Sequence, residues 1–320
     1  MLAGSAFGWS RINHAFASHL VAAGAIEDPA APLVVHCTTA NIFQRIPHRR
    51  NVLFTMTESA YPAPWLTQGL RRADALIVPS EWNRAVFARV CDVPIYVVPI
   101  GTHIDFYVGI NRPRPKRKAG GKFRVMWLGA HNQRKGWHEV LEAWKTFERD
   151  PSMVLYLKTT LNPGEREPIG VRGHGNVLID NRIIPDTDLL KLYAEADFFV
   201  FPSWGEGWGM PLAEAMATGL PCATNLFSGV TEFCDPTVVY PLRFTQRLVQ
   251  VHDTPSGVVH IEPMAVTDPA SVVESIRWAR QHWDSAQAMG RRGWNRMQTF
   301  GWPHVSQRLL DVLTDISAQQ

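Results

Sequence analysis

The sequence predicts an α/β fold in two halves, each a largely parallel sheet with helices on both faces. Three observations carry that expectation. Short runs of Val, Leu, Ile and Phe alternate with stretches of helical periodicity along most of the chain. The runs are apolar throughout rather than at every second residue, as befits strands covered on both faces. A segment rich in Pro, Gly and basic residues at 112–121 then interrupts the alternation, which afterwards resumes. A chain of 320 residues is long enough for two such units.

In order along the chain, Ile12, Phe16, Leu20 and Val21 share one helical face that Gly24 closes. Residues 33–37 and 51–57 read as buried strands, 65–73 as a helix, 75–79 as a strand. Ser80 caps a helix reaching Val90, and 95–99 is a short strand. After the interruption, 123–129 is a strand running into a loop, and 136–149 a helix whose apolar face holds Val140, Leu141, Trp144 and Phe147. Strands follow at 154–158 and 177–180, a helix at 186–196, a strand at 198–201, a helix from Met210 and a strand at 221–224. Residues 271–280, 286–300 and 304–316 read as helices. The expected division is 1–111, a basic linker at 112–121, a second domain at 122–302 and a terminal helix at 303–320. Ligands of such folds sit in the crevice at the ends of the strands.

The bulk numbers exclude several classes. An apolar content of 46% with 19% charged residues is that of a globular domain. No run of about 18 apolar residues is present to span a membrane. A net charge of +3 is too small to argue for nucleic acid. Cys37, Cys91, Cys222 and Cys234 are far apart, which fits a reducing cytosol better than a disulfide scaffold. The histidines do not cluster at metal-ligand spacing, so no metal is expected. Gly-x-Ser-x-Gly and phosphate-loop signatures are both missing. The five basic residues of the linker read as a solvated connection, with weak peripheral contact to an anionic membrane as the minority reading.

The densest signal is Glu206-Gly-Trp-Gly-Met-Pro-Leu-Ala-Glu214, directly after the strand at 198–201. A helix starting at Met210 directs free N–H groups and a positive dipole end at the loop, an arrangement that binds anions. Glu206 and Glu214 would repel a phosphate, but they accept hydrogen bonds from sugar hydroxyls. An anion site flanked by hydroxyl acceptors suits a nucleotide sugar. Arg134 and Lys135 precede a second helix N-terminus and could neutralise a diphosphate. Gly8, near the start of the first helix, would permit close approach of a phosphate or sugar. Glu58, at the C-terminal end of a parallel strand, is placed to face the crevice.

These residues resemble a known family. Glu206 to Pro221 looks like the paired-glutamate signature, seven residues between the two, of the retaining GT-B glycosyltransferases of family 4, the group 1 glycosyltransferases. Lys135-Gly136, residues 189–197, Phe300-Gly-Trp302, Thr57-Glu58-Ser59, residues 73–80 and residues 97–105 are similar to further features of that family. The resemblance implies two Rossmann-like domains facing a crevice, with the terminal helix crossing back to the first. It also implies metal-independent transfer of a hexosyl group from a UDP- or GDP-sugar to an acceptor hydroxyl with retention of configuration. The acceptor would be a glycan, a lipid or a small molecule.

By the same resemblance Glu206 would hold the transferred sugar, and Gly207, Trp208, Gly209, Met210, Pro211 and Leu212 would contact sugar and phosphate. Glu214 would take the ribose hydroxyls and Lys135 the diphosphate. Glu206, Lys135 and Glu58 form the expected catalytic set. Three positions depart from the pattern. Ala130 stands where the family has Arg, Thr57 or Glu58 where it often has His, and the first strand is barely present. An inactive nucleotide-sugar-binding paralogue, or an epimerase or hydrolase on the same fold, is the alternative.

Overall fold

The computed structural model describes residues 7–22, 24, 28, 30–103, 121–160, 169–253 and 258–319, with the side chains of 7–11 and 251–261 excepted. Of the basic segment expected at 112–121, residues 112–120 lie outside them.

The first sheet contains β1 (Leu33–Cys37), β2 (Arg50–Phe54), β3 (Ala75–Val78) and β4 (Ile95–Val97), parallel and in that spatial order. Adjacent residues of β2 enter different cores. Val52 and Phe54 pack with Ile12 and Phe16 of α1 (Phe7–Ala22). Leu53 packs with Leu66 and Leu70 of α2 (Pro64–Leu70) and Phe87 of α3 (Glu81–Phe87). Burial on both faces is why these strands read as continuous apolar runs. Ser80 caps α3, its Oγ accepting the Asn83 N–H at 3.2 Å.

The second sheet has seven strands in the order β11-β10-β9-β5-β6-β8-β7. They are β5 (Phe123–Ala130), β6 (Met153–Thr160), β7 (Val171–His174), β8 (Val177–Asp180), β9 (Phe198–Phe201), β10 (Cys222–Thr224) and β11 (Tyr240–Pro241). All pairings are parallel except that of β7 with β8 at the edge. Val125, Trp127, Phe198 and Val200 face Val140 and Trp144 of α4 (Trp137–Trp144) and Ile276 of α7 (Pro269–Gln281). Met126, Phe199 and Phe201 face Tyr193 of α5 (Asp186–Glu195) and Leu212 and Met216 of α6 (Met210–Ala217). Among the described residues Cys37, Cys91, Cys222 and Cys234 are buried and form no disulfide.

After α8 (Trp283–Met297) the chain crosses back as α9 (Trp302–Ala318) onto the first domain. Thr102 bridges Gly301, and Phe16 meets Trp302 edge-on at 5.1 Å. At the far end the Arg50 guanidinium donates to the Ile316 carbonyl. Val305, Leu309 and Ile316 bury one helix face, each contributing roughly 1.5–3 kcal/mol.

Two expectations change. The first helix begins at Phe7 rather than after residue 10, so Gly8 lies in its first turn and not in a preceding loop. An antiparallel ribbon, β12 (Phe244–Asp253) with β13 (Val258–Thr267), was not foreseen. Its outer strand exposes Leu248, whereas Met264, Ala265 and Thr267 of the inner strand are buried. Its burial follows from tertiary contact with the site loop, not from alternation within the strands.

Candidate active site

The loops after β5 and β9 converge at the C-terminal edge of the second sheet. Asn132 starts a short 3-10 turn, Gln133–Lys135, by accepting the Arg134 N–H through its side chain at 2.9 Å. Gly136 ends the turn with φ +71°, and a Cβ there would lie 2.2 Å from the Pro202 carbonyl oxygen. Only glycine fits, and the close approach sets Lys135 against the 202–207 loop.

In that loop Glu206 is 6% exposed. Its Oε1 accepts from Lys135 Nζ at 2.6 Å and from Ser203 Oγ at 2.6 Å, with Arg134 Nη1 at 3.6 Å. All three contacts fall on Oε1, which leaves Oε2 for a ligand. The Glu206 backbone N–H donates to Ser228 Oγ at 2.8 Å, and its carbonyl accepts from Gly229 at 2.9 Å. Burial opposes the Glu206 charge, but Lys135 and Arg134 outweigh it and hold the carboxyl below its usual range. Burial pulls the Lys135 ammonium below its usual range, with Glu206 opposing. Arg134 is also desolvated, yet Glu58, Glu206 and Glu262 hold it above its ordinary range. Five charged side chains thus lie close together, with Glu58 at the exposed edge of the group.

The first domain closes the other side. Arg134 Nη2 lies 3.3 Å from Glu58 Oε1, and its Nη1 donates to the Gly205 carbonyl. Asn83 Nδ2 donates to the Gly207 carbonyl at 2.8 Å, while its Oδ1 accepts the Thr57 N–H at 2.8 Å. A Cβ at Gly205 would sit 2.5 Å from the Glu58 carbonyl oxygen, so the domains meet through bare backbone.

A cavity of about 470 Å³ opens between the domains. Eight of the site candidates, Glu58, Lys135, Glu206, Gly207, Trp208, Gly209, Met210 and Pro211, line it. Gly209 adopts φ +96° at the start of α6, and no side chain caps that helix, so its positive end bears on the cavity wall. Arg134 stands behind the lining, held by Glu58 and Gly205. Leu212 does not reach the cavity: its side chain is in the core and its N–H is spent on the Gly209 carbonyl at 3.0 Å. Its place one turn into α6 points it at β9 instead. Glu214 accepts from Tyr193 OH at 3.0 Å and lines an adjoining cavity of about 30 Å³. The two cavities share Ile12, Ile100, Trp208 and Met210 as walls. The surroundings of Gly8 fall outside the described residues.

Several lining or supporting residues escaped the sequence reading. Lys158 and Arg182 line the far end of the cavity. Lys158 Nζ donates to the carbonyls of Thr159, Asp180 and Arg182. The buried Asp180 takes Arg182 Nε and Nη2 at 3.0 and 2.9 Å and Tyr156 OH at 2.6 Å. Ser203, Ser228 and Asn83 hold the 202–207 loop by hydrogen bonds, and Glu262 adds negative charge beside Arg134. Only the neighbourhood of Ser203 to Glu206 in sequence could have signalled any of them.

The fold is GT-B: two parallel-sheet domains, a crevice between them and a terminal helix crossing back. Solved structures bear this out. Sucrose-phosphate synthase from Thermosynechococcus elongatus superposes with a TM-score of 0.65 at 16% identity, over 100% of this chain and 82% of that one. Anabaena HepE in complex with UDP and glucose gives 0.67 at 15% identity, over 93% and 80%. Residues 122–258 match the family described as "Glycosyl transferases group 1". The MMP α-(1→4)-mannosyltransferase of Mycolicibacterium hassiacum is 26% identical over 220 residues, 68% of this chain and 47% of that protein. The O-antigen chain mannosyltransferase B of Escherichia coli is 45% identical over 49 residues, 15% of this chain and 13% of that protein. The chain thus spans less than half the length of these two relatives. Among the described residues no helix is long and apolar enough to cross a membrane.

Proposed function

We propose that this protein is a retaining, metal-independent glycosyltransferase that moves a mannosyl or glucosyl group from a UDP- or GDP-sugar to an acceptor hydroxyl. One observation carries the reading: the Lys135–Glu206 pair, 2.6 Å apart, lies on the wall of the interdomain cavity beside the uncapped start of α6. The group 1 match over the same domain and the mannosyltransferase relatives support it. HepE, solved with UDP and glucose, supports the donor class.

In this reading the diphosphate lies against Lys135 and the α6 N-terminus, with Arg134 behind. Negative charge grows on the leaving phosphate as the glycosidic bond breaks, so fixed cations and dipoles there act more strongly in the transition state than in the ground state. Glu206 Oε2 takes the sugar hydroxyls and steadies the oxocarbenium-like ring. The acceptor attacks from the face the phosphate leaves, and the phosphate takes its proton. Glu58 lies at the acceptor side of the cluster. Glu214 reaches the ribose once Tyr193 OH yields its bond. Tight closure through Gly205 and Gly207 excludes water. The four described cysteines, none in a disulfide, fit a cytosolic setting.

A thermal-shift screen with UDP-, GDP- and ADP-sugars tests this. A donor at 100 times its dissociation constant adds about 2.7 kcal/mol, a readily seen shift. No stabilisation by any nucleotide sugar, together with no nucleotide release on an acceptor panel, rules the reading out.

A further inference from the structure

Trp204 joins three segments of the second domain at the catalytic loop. Its backbone N–H donates to the Arg134 carbonyl at 2.8 Å, and its carbonyl accepts from Ala265 of β13 at 2.9 Å. Its indole Nε1 donates to Glu139 Oε1 at 3.1 Å, inside the protein, with Trp204 5% and Glu139 9% exposed. Glu139 Oε2 is buried with no hydrogen-bond partner. Neither residue belongs to the cluster that binds Lys135.

The neighbours of Trp204 give this contact its consequence. Ser203 precedes it and donates to Glu206 Oε1. Gly205 follows it and accepts from the Arg134 guanidinium. A shift of residue 204 therefore carries the Glu206 hydroxyl partner and the Arg134 anchor together. Glu139 is the third residue of α4, on the element that directly follows Lys135. The Glu139–Trp204 bond consequently ties the Lys135 side of the site to the Glu206 side from behind.

We propose that Glu139 is a positioning residue that, through the Trp204 indole, fixes the distance between the Arg134–Lys135 turn and the Glu206 loop. The effect on turnover rests on the sugar-transfer reading above; the positioning itself does not. The role belongs to an acceptor oxygen at Oε1 rather than to a negative charge, since the second oxygen is unpartnered. Burial pushes the carboxyl upward, with its own backbone N–H and the indole pulling the other way. A glutamine retains the acceptor and the shape, whereas a leucine leaves a buried indole N–H without a partner.

The test uses the full chain and the variants E139Q, E139L, W204F and E206A. Amide exchange of residues 202–207 reports positioning without substrate, and nucleotide release from UDP-glucose and GDP-mannose in the presence of the same acceptor panel reports turnover well below each variant's Tm. E139L and W204F are expected to speed exchange of 202–207. They should lower kcat roughly tenfold to hundredfold, as a displacement of about 1 Å does, with donor KM nearly unchanged. E139Q should behave as wild type in both. Unchanged exchange and kcat in E139L and W204F overturn the proposal, as does E139Q failing as badly as E139L. W204F keeps an aromatic side chain while removing the indole N–H, and decides the matter if E139L does not fold. E206A active as wild type, or no release by wild type from either donor, removes the sugar-transfer reading instead and leaves the exchange result to judge Glu139.

Discussion

The two domains meet the crevice with unequal equipment. The second brings Arg134, Lys135 and Glu206, the two cations and the carboxylate of a buried cluster, on loops locked by Gly136, Ser203, Ser228 and Trp204. The first brings Glu58, whose side chain is 45% exposed and whose carbonyl abuts Gly205, and the Met56 and Asn83 side chains, which meet Gly207. Preorganisation of charge belongs to one domain, and the other acts mainly as a lid of matching shape. Charges fixed before the reaction need not reorganise during it, which is where electrostatic catalysis gains most. A half-solvated carboxylate such as Glu58 can turn to meet different partners.

The comparison can be broken at its strongest point first. Glu206→Ala removes the carboxylate that both cations share. Transfer is expected to fall by about 10² to 10³ with an unchanged far-UV circular dichroism spectrum; near-normal nucleotide release would mean that the charged cluster does not run the chemistry. Lys135→Ala comes next. Affinity for UDP or GDP should weaken roughly tenfold or more, about 1.4 kcal/mol, and calorimetry showing equal affinity would remove Lys135 from the donor site. The variant should also be less stable than wild type at neutral pH, and its stability should depend less on acid. In wild type, Lys135 and Arg134 depress the Glu206 carboxyl, so their stabilisation is complete above the carboxyl's unfolded value and is lost as pH falls through its folded one. Without Lys135 that acid-dependent loss should shrink.

The contact between the domains gives smaller effects. Gly205→Ala drives a Cβ to 2.5 Å from the Glu58 carbonyl oxygen. Overpacking of this kind costs about 1–3 kcal/mol, readable in a urea titration, and a neutral result would show that the domains part easily. Glu58→Gln should cost the least. The pair with Arg134 is partly exposed on one side, so its loss is worth within about 1 kcal/mol and less at high salt. A larger cost would make the first domain an equal contributor of charge after all.

Much of the second domain was legible because its signals are local. Phe198–Phe201, Val177–Asp180 and the start of α6 at Met210 fall where apolar runs and the Gly209 turn place them. Glu206 and Lys135 could be chosen from their loops, yet nothing in a linear reading says that a residue 71 positions away will lie at 2.6 Å. Leu212 shows the reverse limit. It belongs to the motif, but the helix turns its side chain to the core and occupies its N–H. The ribbon and Glu262 were missed because a strand pair covered on one edge only has no periodicity of its own to declare it.

By itself the sequence determined the alternation of strands and helices, the two-domain plan and the identity of the charged residues, since these follow from local periodicity, capping and loop glycines. The tertiary structure alone decided which charges share a partner. It gave Glu206 to Lys135 and Arg134 and set Glu58 across the crevice. It placed Glu214 against Tyr193 in an adjoining small cavity and anchored the 202–207 loop to Glu139 through Trp204. Those outcomes depend on distances between segments far apart in the chain, and such distances are fixed only when the sheets pack and α9 draws the domains together.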